Sequence, residues 1–247
     1  MSDTLIKRIK TSQGEFGILA VDNFIEPDTV ITVPAGGDIQ FALDSLSGKW
    51  SSGTVTIQLE AGQYDTPKAL TLTEPNMIKR IDIKGAGKSK TTINKTQAPN
   101  AYEAVLIIDS QTFVNVEGMT IKTLYSNNSL CIQNNGSIVK ITDVSCRGAQ
   151  QSGVSTYNNG ETEIVSGFDI TNSSKANFGI LTSKGSKTTL NSVDTLSMTN
   201  CTTGLLSEMG AMTLVFYTKI STSGVSTKFS PTLNNHSGTG WNLGTEG

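Results

Sequence analysis

Val114-Asn115-Val116-Glu117-Gly118-Met119-Thr120-Ile121 alternates apolar and polar residues on either side of a glycine, and the pattern returns every 24 to 26 residues between Ala104 and Val225. Alternation with period two belongs to a half-buried strand and not to a helix. Three sets of residues keep the register. The first is apolar: Val105, Leu130, Val154, Ile180 and Leu205, at intervals of 25, 24, 26 and 25. The second is a glycine ladder, Gly136, Gly160, Gly185 and Gly210, opened twice by Asn-Gly, a dipeptide suited to turns with positive φ. The third is a pair of apolar columns, Val116, Ile141, Val165, Val193 and Ile121, Cys146, Ile170, Met198, whose intervals of 25, 24 and 28 place an insertion in the last coil.

A unit of two or three short strands cannot bury its own apolar face, so it stacks on the next and builds a continuous core along an axis. The expected fold is all-β: a single parallel β-helix with equivalent residues one strand spacing apart, about 4.8 Å. Val55-Thr56-Ile57-Gln58-Leu59 and Ile81-Asp82-Ile83 carry the ladder back to about residue 54, with Ile83 expected to lead to Ile107. That gives roughly seven coils and about 30 to 35 Å of solenoid. Ahead of the first coil, Ile39, Ala42, Leu43 and Leu46 fall at helical spacing with Asp38 as N-cap and Gly48 at the end. This short helix is read as a cap over the N-terminal end of the core. Three segments follow: an arm over 1–35, helix and solenoid over 36–225, and a polar Gly/Ser/Asn-rich tail over 226–247.

Charged residues make up 16% of the 247 and the net charge is −2, so no nucleic-acid footprint and no affinity for an anionic membrane are expected. Met1 to Lys10 lacks the apolar core of a signal peptide and no 18 apolar residues run together, so the expectation is synthesis in the cytoplasm without membrane insertion. Cys131, Cys146 and Cys201 lack metal-ligand spacing, and neither metal nor cofactor is expected.

The order of capping helix, Val55-Thr56-Ile57-x-Leu59-x-x-Gly62-x-Tyr64, Leu70-x-Leu72 and Ile81-x-Ile83-x-Gly85-x-Gly87 resembles the opening coils of the pectate-lyase-like, right-handed parallel β-helix superfamily. With its low charge, N-terminal arm and the ending Phe229-Ser230-Pro231-Thr232-Leu233-Asn234, the chain is most similar there to bacteriophage tail spike and tail fibre proteins. The resemblance spans about residues 36–235 and rests on fold motifs, which specify architecture better than activity. It implies a homotrimeric virion protein that attaches to a host surface glycan or protein, or adapts another fibre to the tail. Its arm would anchor to other phage tail proteins. The alternatives are a polysaccharide depolymerase with an inter-subunit active site, and a capsid or baseplate decoration without a ligand.

Glycoside cleavage needs two facing carboxylates roughly 5 to 9.5 Å apart. Glu161 and Glu163, two apart on one strand and so about 6.8 Å apart, are the intrachain pair with workable spacing. Glu117 and Asp194 share an outward column but lie too many coils apart. The superfamily's lyase residues do not carry over, because no coil holds a tight acidic cluster and Arg147 is the last arginine. Gly85-Ala86-Gly87-Lys88-Ser89 imitates a phosphate loop but is followed by a strand-like segment. His236 is read as a surface residue, and Trp50 and Trp241 as end caps. Finally, the position after the first column reads Leu106, Cys131, Ser155, Leu181 and Leu206. Alternation places these outside, so Leu106, Leu181 and Leu206 are expected at a trimer interface.

Overall fold

Residues that alternate apolar and polar over five to ten positions, separated by Gly and Asn, have one economical use: one face inward, one face out, and a corner at each turn. The computed structural model follows that rule. It describes residues 7–11, 14–18, 23–73, 77–97, 102–124, 128–191, 195–216, 219–223 and 233–235. Parallel strands stack as a β-solenoid of about seven turns, with almost no helix. Each full coil has three faces. On the first, for example, Phe113–Lys122 begins with Val116 above Ile83 and below Ile141, and the same strand bends at Gly118 (φ 68°) into the second face. The third face stacks Leu70–Thr73, Ala104–Asp109, Leu130–Asn135 and Ser152–Tyr157.

One inward column of the first face runs Ile31, Ile57, Ile83, Val116, Ile141, Ile164, Leu190, Val215. The column Tyr64, Ile93, Ile121, Cys146, Ile170, Met198 lines the second. Burial of each branched side chain stabilises the stack by about 1.5 to 3 kcal/mol. Several expected neighbours are displaced. Ile83 is followed by Val116 and not by Ile107, because the third-face strand Ala104–Asp109 lies between them in the chain. Ile164 and Leu190 occupy the places expected for Val165 and Val193; Val193 lies outside the described residues. In the third-face column Leu106 and Ile132 replace Val105 and Leu130 before Val154, Ile180 and Leu205. Val105-Leu106-Ile107-Ile108 is apolar throughout, so alternation there sets no phase.

The corner between the third and first faces changes chemistry along the axis. Near the N-terminus it is filled by Leu72 and Ile108 opposite Ile81 and Val114. Further on the same columns read Asn134, Thr156, Thr182, Ser207 and Thr162, Thr188, Thr213, all buried. Asn134 Nδ2 donates to Thr162 Oγ1 (3.0 Å), Thr188 Oγ1 to Thr156 Oγ1 (3.2 Å) and Thr182 Oγ1 to Thr188 Oγ1 (2.8 Å). Contacts Thr156–Thr162 (2.8 Å), Thr182–Thr213 (3.0 Å) and Ser207–Thr213 (2.6 Å) join them into one hydroxyl seam. A buried hydroxyl is costly only when it lacks a partner, and here partners come both from across the corner of the same coil and from the neighbouring rung.

The helix forms at Ile39–Asp44, with Asp38 Oδ1 accepting from Phe41 N at 3.0 Å and Gly48 at φ 68° past its end. Its Gln40 amide bonds both backbone groups of Thr71, donating to the carbonyl (3.0 Å) and accepting from the N–H (2.8 Å). Leu70–Thr73 is the first third-face strand among the described residues, so Gln40 takes the place of the missing rung. The helix thus covers the end, but it is not ahead of the first strand. Thr29–Val33 pairs in parallel with Val55–Leu59, so the first rung lies inside the segment 1–35 assigned to an arm. Lys7–Thr11 and Gly14–Ile18 form a separate antiparallel hairpin. At the other end Leu233–Asn235 adds a strand beside Thr213–Val215, and the rest of 226–247 lies outside the described residues.

Candidate functional site

The strand Glu161–Ile164 alternates with Thr162 and Ile164 inward, so Glu161 and Glu163 both point out from the first face. They line an open groove of about 320 Å³ with Phe113, Ile138, Lys187, Leu214 and Phe216. Register sets a cation against each carboxylate one rung away: Lys187 beside Glu161 and Lys140 beside Glu163. Asn191 Nδ2 donates to Glu163 Oε1 at 3.1 Å. The backbone spacing of about 6.8 Å meets the separation used by inverting glycosidases. The groove is open, so neither carboxylate is buried in the closed apolar setting that an acid catalyst uses. Glu161 is exposed, and both side chains are flanked by lysines in register.

A second acidic group was not legible as a pair. Lys88, from the turn that imitates a phosphate loop, reaches along the axis to Asp169 Oδ2 (3.0 Å), Asp143 Oδ1 (3.9 Å) and the Gly167 carbonyl (2.6 Å). Asp169 Oδ1 also accepts from Ser145 Oγ at 2.6 Å and Thr171 Oγ1 at 3.2 Å. Two carboxylates therefore do meet within one chain besides Glu161 and Glu163. Their ammonium partner makes them a clamp between coils, and it removes Lys88 from any phosphate-binding role. The only sequence signal was positional: Asp169 precedes inward Ile170 as Ser145 precedes inward Cys146.

The expected trimer-interface residues do not form one outward column. Leu106 stands in the inward column and is 1% exposed; Leu181 pairs with Ser155 and Leu206 but is only 3% exposed. Leu206 is half-buried. Leu106 and Leu181 are covered by their own chain and offer a second subunit almost no area. Inside the solenoid the three cysteines are free thiols; burial pushes Cys146 well up, with the Cys131 thiol beside it, and Cys201 to about 11. Lys95, buried in its coil, forms an ion pair with Glu103 Oε1 at 3.1 Å that lacks hydrogen-bond geometry. Trp50 packs on Phe24 with ring centroids 4.4 Å apart, while His236 and Trp241 lie outside the described residues. Among the described residues no three His, Cys, Asp or Glu side chains converge as metal ligands.

No protein-family model matches the chain, and no curated protein matches it. Among solved structures it is similar to a candidate glycosyl hydrolase from Parabacteroides merdae, at 12% identity and a TM-score of 0.38, over 76% of this chain and 88% of that one. At those values the likeness transfers no activity and no site.

Proposed function

We propose that this chain is an attachment protein of a virion, of the tail-fibre or tail-spike kind, that holds a host surface glycan without cutting it. The observation that carries the reading is the outer surface of the second face. There Asn94, Lys122, Arg147, Thr171 and Thr199 stack in one exposed or half-exposed column, flanked by Thr92, Ser197 and Ser221 of the neighbouring column, in which Thr120 and Ser145 are buried and donate to Lys88 O and Asp169 Oδ1. A column of amide, cationic and hydroxyl groups repeating about every 4.8 Å presents donors and acceptors to an extended polyhydroxy chain. Affinity per site from such a surface is low and is multiplied by subunit and particle copy number. The virion assignment, the homotrimer and docking to other phage tail proteins draw their support from the motif order shared with phage spikes. The trimer needs an interface other than Leu106 and Leu181.

The depolymerase reading is favoured by one feature, the spacing of Glu161 and Glu163. The test is adsorption of purified protein to host cells, alongside a reducing-end assay on the extracted surface polysaccharide. The expected result is binding with no new reducing ends, unchanged in the double variant Glu161→Gln, Glu163→Gln. Cleavage by the native chain that disappears in the double variant would replace attachment with hydrolysis.

A further inference from the structure

The third face carries a feature that neither carboxylate group explains. Gln133 and Asn135 lie two apart on the strand Leu130–Asn135, outward beside inward Ile132 and Asn134. Tyr157 is the register partner of Asn135 on the next rung, and Lys184 follows in the turn beyond it. With Tyr102, Leu130 and Asn158 these residues line an open depression of about 300 Å³, the lower end of the roughly 300 to 1,000 Å³ range of small-molecule sites. Tyr102 is 59% exposed and held at φ 62°, a backbone region that bulky residues rarely adopt, so its ring is kept in water at a conformational cost.

The chemistry of the lining is specific. Two tyrosine rings supply flat apolar surface, and the Lys184 ammonium sits 5.8 Å from the Tyr157 ring centroid. Asn158 Nδ2 donates to Asn135 Oδ1, which leaves Asn135 Nδ2 as donor and Asn158 Oδ1 as acceptor for a ligand. Gln133 adds an amide with both capacities. Sugar hydroxyls donate and accept at once, so paired amides match them, while an aromatic face covers the C–H side of a pyranose ring. Lys184 is the one charged residue in the lining, so the ligand's complementary charge is negative.

We propose that the pocket formed by Tyr102, Gln133, Asn135, Tyr157, Asn158 and Lys184 binds one pyranose unit of an acidic polysaccharide, its carboxylate directed to Lys184. This rests on the glycan-attachment reading and adds to the second-face surface a separate third-face contact with a stated sugar class. The experiment is ligand-observed NMR titration of the full chain with methyl glucuronoside and, separately, methyl glucoside, which differ in the carboxylate alone. The native chain should bind the acid about two- to fivefold more tightly, the scale of one exposed charge pair. Tyr157→Ala should weaken both by about tenfold or more, and Tyr102→Ala, at an exposed position that leaves folding intact, should weaken both as well. Lys184→Met should remove the preference for the acid and leave the neutral sugar unchanged. Equal affinity for the two sugars in the native chain, binding unaffected by Tyr102→Ala, or no binding of either sugar overturns the pocket assignment. The attachment reading is judged apart from it, by whether the native chain adsorbs to cells.

Discussion

Asn134→Leu should lower the unfolding free energy by about 3 to 5 kcal/mol, visible as a large drop in the urea midpoint with little change in slope. The substitution fits by volume, and an apolar scan of the sequence would even favour it, since Ile108 and Leu72 occupy the preceding places in the column. The cost comes from what the amide holds. Asn134 Oδ1 accepts from Ser137 N at 2.9 Å, and Nδ2 shares its two hydrogens among Ser137 O (2.9 Å), Glu161 O (2.9 Å) and Thr162 Oγ1. With leucine there, the buried Ser137 N–H loses the Asn134 acceptor, at about 1 to 3 kcal/mol, and the carbonyls of Ser137 and Glu161 and Thr162 Oγ1 each lose one donor, Ser137 O keeping Glu161 N at 2.8 Å. A change below about 1 kcal/mol would show that water or backbone movement satisfies them and that the seam is not a closed network.

Gly148→Ala should be at least as damaging, by more than about 4 kcal/mol, with loss of cooperative unfolding as the readout. Gly148 has φ 76°, and a Cβ there would lie 2.2 Å from the Thr123 carbonyl oxygen, a backbone atom that itself belongs to the adjacent rung. Gly210 is the control: its φ of 74° is nearly the same, but a Cβ would meet nothing within 4 Å. Gly210→Ala should therefore cost only the backbone term, about 1 to 2 kcal/mol. The comparison separates conformational preference from rung-to-rung collision. Similar costs for the two substitutions would mean that the coils separate easily at Gly148.

These two residues also mark where the sequence was readable and where it was not. The column Ile121, Cys146, Ile170, Met198 stands as read, because each residue is apolar between polar neighbours and the phase is unambiguous. The reading slipped wherever inward residues are threonines. Thr162, Thr188 and Thr213 point inward without looking apolar, so a search for aliphatic columns selected Val165 in place of Ile164. Leu106 was assigned outside for the opposite reason, an unbroken apolar run. That Glu161 and Glu163 share the outer face followed from alternation alone. Their lysine neighbours come from other coils and depend on a register that 23- to 26-residue intervals leave uncertain by one or two positions. The Lys88 clamp and the tyrosine pocket are harder still, because turns and corners bring their members together out of step with the repeat.

Function, clamp, seam and pocket all depend on one arrangement: equivalent residues of successive repeats, inward and outward, lie in straight columns. Thr54, Arg80, Phe113, Ile138, Glu161, Lys187 and Met212 are consecutive register partners down the first face. Pulsed electron spin resonance on nitroxides at Thr54→Cys and Met212→Cys, in a background with the buried cysteines replaced, measures that column directly. Six strand spacings predict a single narrow distance near 29 Å, within the reach of the label tethers. A broad distribution, or one centred far from that value, would contradict the stacked register.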